Sequence, residues 1–287
     1  MIGKLQKPGV VFWLSLLWLL LVLGCAFTAH WWPLPPLDQV DWGNQAALPG
    51  SESLTEALAQ QHPIHLLGTD SVGRDILARL LFGARISLCI GFFSTLIGMM
   101  LGGGLGMLAG YYRGRVELLI VGAMDTILAF PGLVLLLAMT YLFGSSLTNI
   151  TLILGGLVTP AFCRVARANT LRFAELEFIT AARACGAKDV TILLREILPN
   201  ILIPVSIYAL LVVAFLIIVE GGLGFLGLSV PAPTPSWGGM IAEGYGVMAQ
   251  APHVSLIPML AMFLTILSFN LLGDRLRSLT EVRESRL

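Results

Sequence analysis

Six long apolar runs, almost free of charge, decide what this chain can fold into. They cover about residues 10–29, 86–109, 118–142, 149–168, 201–220 and 255–273. A helix needs about 20 apolar residues to cross the ~30 Å hydrocarbon layer, and each run is long enough. Only 12% of the 287 residues are charged while 56% are hydrophobic. Soluble domains carry about 25% charged residues, so the surplus apolar surface must face lipid. Segments alternating apolar and polar, as a membrane barrel would need, are absent. The expected fold is therefore an all-α, polytopic membrane protein with six transmembrane helices.

Cations orient such a chain, because Lys and Arg near spans stay on the cytoplasmic side. With the N-terminus inside, Lys4, Lys7, Arg113, Arg115, Arg164, Arg167, Arg172, Arg183, Lys188, Arg195, Arg275, Arg277, Arg283 and Arg286 fall on the inner side. Only Arg74, Arg79 and Arg85 fall outside. That bias of fourteen to three places both termini in the cytoplasm and residues 30–85 outside. The order of segments is a cytoplasmic tail over 1–9, a first span over 10–29, an external segment over 30–85, a five-helix core over 86–273 and a tail over 274–287. Within 71–82, Ile76, Leu77, Leu80 and Leu81 face one way and Asp75 and Arg79 another, which predicts a short helix on the membrane surface. Val22-Leu-Gly-Cys25 has the outline of a lipoprotein cleavage box, but Leu23 is bulky where a small residue is favoured. The run over 10–29 reads as an anchor retained as the first span.

One charged island interrupts the core. Six of the seventeen Lys and Arg residues lie between Cys163 and Asn200, four of them in a cytoplasmic loop over 169–200. Val190, Leu193, Leu194 and Ile197 fall at i, i+3, i+4 and i+7, with Asp189 placed to cap a helix. A structured, amphipathic, basic loop suggests docking to a soluble partner. Gly186 sits where the chain must turn, a place for a residue free to adopt positive φ.

Glu177, Thr180-Ala181-Ala182-Arg183, Gly186 and Leu198-Pro199 resemble the EAA loop of bacterial ABC importer permeases. Thr180 replaces that family's lead glutamate, and Glu196 stands where an isoleucine is usual. His65-Leu-Leu-Gly-Thr-Asp-Ser-Val-Gly-Arg-Asp75, Gly83-Ala-Arg-Ile-Ser-Leu88, Leu128-Ala-Phe-Pro131, Gly224-Phe-Leu-Gly-Leu-Ser229, Pro233-Thr-Pro-Ser-Trp-Gly238 and Ser268-Phe-Asn-Leu-Leu-Gly-Asp-Arg-Leu-Arg277 are similar to permeases of the dipeptide, oligopeptide and nickel subfamily. The resemblance implies a type I ABC importer transmembrane fold and a pathway for di- or oligopeptides. It also implies a second homologous permease subunit, two ATPase subunits using ATP and Mg, and an extracytoplasmic binding protein in a bacterial inner membrane. Nickel, glutathione and antimicrobial peptides are alternative solutes. A stand-alone secondary transporter is the alternative of a different class, but it would need conspicuous buried charge for ion coupling.

Two acids lie towards span edges. Asp125 is expected to pair with Arg113 or Arg115, and a pathway role is the alternative. Glu220 is expected at a pore rim or gate, because the fifth span lines the pathway in the family that the chain resembles. Gly98, Gly102 and Gly106 are four apart, which puts small residues on one helical face for close packing in lipid. Pro131, Pro160 and Pro204 lie in or near spans and predict kinks. The Gly- and Pro-rich stretch over 221–246 is either a contact for the delivery protein or a re-entrant cap, with Trp237 and Tyr245 at the membrane interface.

No Gly-x-x-x-x-Gly-Lys-Ser/Thr loop occurs, so ATP hydrolysis is expected on another chain and no cofactor on this one. His62 and His65 are separated by Pro63, which disfavours a helical metal-ligand pair. The four cysteines show no metal or disulfide spacing. No Gly-x-Ser-x-Gly elbow suggests an intramembrane protease, and no basic patch outside the loops suggests nucleic acid.

Overall fold

The computed structural model describes residues 9–54 and 64–284. Among them are α1 (Val10–Thr28), the two-residue strands β1 (Ser51–Glu52) and β2 (Ile64–His65), and α2 (Ile76–Tyr112). There follow α3 (Gly114–Leu128), α4 (Gly132–Phe143), α5 (Leu147–Ala174) and α6 (Glu177–Ala184). α7 (Asp189–Phe225), α8 (Trp237–Tyr245) and α9 (His253–Glu284) complete the chain. Among the described residues five helices are long and apolar enough to span, and the bent pair α3–α4 makes up to six. Each apolar run in the sequence therefore coincides with one spanning element.

The chain divides into two compact units. The first holds the described residues up to Gly91, Ser145–Ile150 and Ala214–Leu272. In it α1 buries Ser15, Leu19, Val22 and Ala26, a single stripe along the helix. Trp18 Nε1 donates to Thr265 Oγ1 at 3.1 Å. Between α1 and α2 the chain is held by a buried histidine. His65 Nδ1 lies 2.8 Å from Asp75 Oδ2, and its Nε2 lies 3.3 Å from Asp41 Oδ2. β1 and β2 pair antiparallel, with Ser51 opposite His65. Asp75 also starts α2, because its Oδ1 accepts from the Ala78 amide at 2.8 Å.

The surface helix expected over 71–82 is not a separate element. α2 begins at Ile76 and runs without interruption to Tyr112. Ile76 packs with Met240, Ala251 and Val254, so its apolar side meets protein rather than lipid. Arg79 is only 2% exposed and, with Arg74, bonds Glu243 Oε2 at 2.7 Å. Trp237 also departs from its expected interfacial place. It is buried at the start of α8, and its Nε1 donates to the Leu80 carbonyl at 3.1 Å. Tyr245 stays exposed.

The second unit holds Phe92–Gly144, Thr151–Val213 and the described residues from Gly273. Its central contact is α2 against α5. A methyl group on Gly102 would sit 2.2 Å from the Thr159 carbonyl oxygen, and one on Gly106 2.2 Å from that of Cys163. At Gly98 it would sit 2.5 Å from Val158 Cγ2. The four-residue spacing thus serves backbone-to-backbone approach, whereas Gly103 and Gly104 on the other side meet nothing within 4 Å.

The span expected over 118–142 is broken. α3 and α4 are bent by 82°. Pro131 causes the stop: it has no amide to donate and forces the preceding residue out of the helical region.

Candidate coupling loop and polar residues of the spans

The loop after α5 folds from its own sequence and is braced from below by α2. Ile179, on α6, is fully buried with Met107, Tyr111, Ile192, Leu193, Ile197 and Ile201. Glu177, Phe178, Thr180, Ala181 and Arg183 stay exposed, while Ala182 is half-buried against this cluster. α6 therefore stands on one buried residue and presents the rest of its circumference outward.

Gly186 ends α6 with φ +78°. Its amide donates to the Arg183 carbonyl at 2.9 Å, and that of Ala187 to the Ala182 carbonyl at 3.0 Å. This crossed pair of bonds is the Schellman ending, which satisfies the last carbonyls of a helix and favours glycine at the left-handed residue. Tyr111 ties the two sides of the turn together. Its hydroxyl donates to Asp189 Oδ1 at 2.7 Å, and the Arg183 guanidinium lies 5.0 Å above its ring.

The second half of the loop departs from the expected stripe. Leu193 and Ile197 are buried as the spacing predicts, but Val190 and Leu194 are 61% and 53% exposed. Residues Ile192–Ile197 form a π-helical turn. The wider turn brings residues five apart onto one face, so Ile192 joins Ile197 in the core and the neighbours rotate outward. Pro199, just beyond Leu198, supplies no amide to the upstream carbonyls, which removes a bond that would keep the tighter helix. Asp189 is the first residue of α7 rather than its cap; Lys188 holds the capping position. Leu198 is half-buried on the same cluster and Pro199 is exposed.

Asp125 forms an ion pair, but its partner differs from the expected ones. Its Oδ1 accepts from Arg164 Nη2 at 2.7 Å, with both side chains exposed. Arg113 pairs instead with Glu175 at 2.8 Å. Arg115 is ten residues from Asp125 on one helix, a rise of about 15 Å that no arginine can bridge. Arg167 with Glu117 completes a row of ion pairs from α3 and its start to α5 and the residue after it. Sequence spacing could not reveal this row, because it depends on which helix lies beside α3.

Glu220 is enclosed, with 0% of its surface exposed, and so is not presented to a passing solute in this conformation. It accepts from Ser87 Oγ at 3.0 Å and Ser229 Oγ at 2.6 Å. Ser87 Oγ in turn accepts from the Trp237 amide at 3.2 Å. The acid therefore ties α2, α7 and the start of α8 within the first unit. Glu220→Leu is expected to leave both hydroxyl protons without their acceptor and to cost about 1–3 kcal/mol for each buried group. Glu220→Gln, which keeps the shape and can bond both serines if one hydroxyl turns to accept from the amide, should assemble normally. Thermal unfolding of the purified complex checks this; equal stability for both variants would remove the anchoring role.

Ser53 Oγ lies 3.3 Å from His65 Nε2, which completes a serine–histidine–aspartate constellation by distance alone. Asp41 shares the same nitrogen, and all of these side chains are buried. The arrangement holds a loop together and offers no accessible nucleophile. Among the described residues no cluster of His, Cys, Asp and Glu fits a metal ion, and His62 lies outside them.

Residues 102–285 match the family described as binding-protein-dependent transport system inner membrane component. The glutathione transport system permease protein GsiD of Pectobacterium atrosepticum is 42% identical over 261 residues, covering 91% of this chain and 83% of that one. The protein of the same name from Escherichia coli O157:H7 is 41% identical, covering 91% and 82%. This chain belongs to the binding-protein-dependent inner membrane component family. It is a permease subunit of an ABC importer and not an enzyme, and it is a multi-pass inner membrane protein. Among solved structures, an inward-facing form of the MetNI methionine ABC transporter superposes with a TM-score of 0.57 at 19% identity, covering 70% of this chain and 95% of that one. An amino acid ABC transporter crystallised with histidines gives 0.53 at 16% identity, covering 74% and 95%. These place the permease in the type I ABC importer fold, and the stand-alone secondary transporter is set aside.

Proposed function

We propose that this permease is one of two homologous pore-forming subunits of an importer for short peptides, with glutathione, itself a tripeptide, as the leading solute. The resemblance to glutathione permeases along 91% of the chain is the observation that carries this reading. An extracytoplasmic binding protein delivers the solute, and two ATPase subunits, which hold the ATP and Mg, drive alternating access. This chain holds no cofactor of its own. Nickel complexes and antimicrobial peptides are the other solutes of the same architecture. Calorimetry on the cognate binding protein, with uptake into vesicles carrying the whole complex, tests the choice. Binding and uptake of glutathione or dipeptides is expected. Binding of a nickel complex with no response to peptides would overturn the solute class.

The loop from Glu177 to Pro199 is the coupling element in this reading. Its support is mechanical: α6 is exposed along most of its circumference, yet is braced by Ile179, Tyr111 and the Gly186 turn. A lever of this kind passes motion on only if it does not fold away under load. The loop and both termini lie on the cytoplasmic side in this arrangement, as the cation bias requires. With the four native cysteines replaced, a single cysteine at Leu48, which is 69% exposed, should react with an impermeant thiol reagent applied from outside, and one at Ser285, which lies outside the described residues, should not. The reverse labelling would invert the topology.

A further inference from the structure

We propose that Tyr111, near the end of α2, is a positioning residue for the coupling step: its hydroxyl on Asp189 and its ring under Arg183 fix the angle between α6 and α7, so that the loop moves together with α2. This rests on the coupling role of the loop and names a residue outside it on which that role depends.

The support of α6 supplies the first observation. α6 has eight residues and buries only Ile179 among them. A helix seated on a single side chain can tilt about that seat. Arg183 lies one turn beyond Ile179, and its guanidinium rests 5.0 Å from the centre of the Tyr111 ring. That stack gives α6 a second point of support. Beyond the Gly186 turn, Asp189 opens α7 and accepts from the Tyr111 hydroxyl at 2.7 Å. A hydroxyl donating to a carboxylate makes a shorter and stronger bond than a neutral pair does. One side chain from a third helix therefore holds both arms of the turn.

The seat of Tyr111 supplies the second, independent observation. Tyr111 is buried with Met107, Ile179, Ile192 and Ile197, all from this chain, whatever else covers the loop. Gly110, beside it, approaches α5 so closely that a methyl group there would sit 2.9 Å from the Arg167 carbonyl oxygen. The end of α2 is thus pinned against α5. A displacement of α6 must then carry the end of α2 with it or break the contacts of Tyr111. Just past α2, Arg113 bonds Glu175 at 2.8 Å, so the end of α2 meets the loop where it starts, before its turn and after it. Phenylalanine would fill the same apolar place as Tyr111; the hydroxyl adds the bond to Asp189.

Uptake per ATP hydrolysed by the reconstituted importer tests this. The solute is whichever of glutathione or a dipeptide drives the native complex. Tyr111→Phe keeps the ring and its packing and removes the hydroxyl. It is expected to lower uptake per ATP about threefold or more while the subunits still co-purify. A brace of the fold alone would lower the yield of complex and leave this ratio native. Asp189→Ala should lower the ratio to a similar degree, and Asp189→Asn, which still offers the hydroxyl an oxygen, should retain more of it. The double variant Tyr111→Phe/Asp189→Ala should do no worse than the more damaging single one, because both remove the same bond. Losses that multiply in the double variant would overturn the proposal. So would a native ratio in Tyr111→Phe where Gly186→Val uncouples. Native coupling in Gly186→Val as well would remove the reading of the loop and the proposal with it. Should Tyr111→Phe fail to assemble, the two Asp189 variants decide in its place, and equal ratios in them would overturn the proposal.

Discussion

Gly186→Val is expected to leave the permease in the membrane but to abolish solute-stimulated ATP hydrolysis by its ATPase subunits. Gly186 holds φ +78°, where a β-branched side chain clashes with its own backbone. The left-handed conformation costs an L-residue roughly 1–2 kcal/mol, and the two crossed hydrogen bonds that end α6 depend on it. Space is not the problem, because a methyl group there would meet nothing within 4 Å. Gly186→Asn, which tolerates this conformation, should therefore couple nearly as well as the native protein. Ala182→Trp probes the other requirement, since Ala182 packs half-buried against the cluster under α6, so an indole there must either press into that cluster or bulge from the outward face. Co-purification of the subunits and hydrolysis in reconstituted vesicles give the readout. Native stimulation and uptake in both Gly186→Val and Ala182→Trp would show that this loop does not couple.

Gly106→Leu is expected to prevent stable folding altogether. Its β-carbon would lie 2.2 Å from the Cys163 carbonyl oxygen and 2.9 Å from Ala166 Cβ. Backbone cannot yield as a side chain does, so α2 and α5 would have to separate. The row at Gly98, Gly102 and Gly110 would loosen with them. Overpacking of this kind costs about 3 kcal/mol or more where helices associate by close packing alone. Gly103→Leu supplies the control, because that position has open space around it. Yield of folded protein after detergent extraction and its thermal unfolding distinguish the two. Similar behaviour at Gly103 and Gly106 would mean that the close approach of α2 and α5 does not hold the fold.

Most of the loop after α5 is legible from local chemistry, because a helix end is made by residues within two turns of one another. The Gly186 turn needs only a residue that accepts positive φ, and the start of α2 needs only Asp75. The outward turn of Val190 and Leu194 is less accessible. Ordinary helical periodicity puts them on the buried stripe, and the π turn that moves them off it is a response to Pro199 and the Ile179 cluster acting together. The Arg74–Glu243 and Arg79–Glu243 bonds join residues more than 160 positions apart, so no spacing rule could find them.

The sequence by itself determined that this is a membrane protein of helical spans. It also determined which stretches are apolar enough to span, which side of α2 carries small residues, and where the loop after α5 turns. These follow from the free energy of burying apolar residues in lipid and from steric limits within a single turn. Tertiary structure decided that Pro131 makes an 82° break rather than a gentle kink, that Asp125 pairs with Arg164, and that Glu220 is enclosed by two serines. Each of these depends on which helix lies alongside another and at what height. A buried or membrane-embedded polar group takes whatever partner that packing brings within about 3 Å.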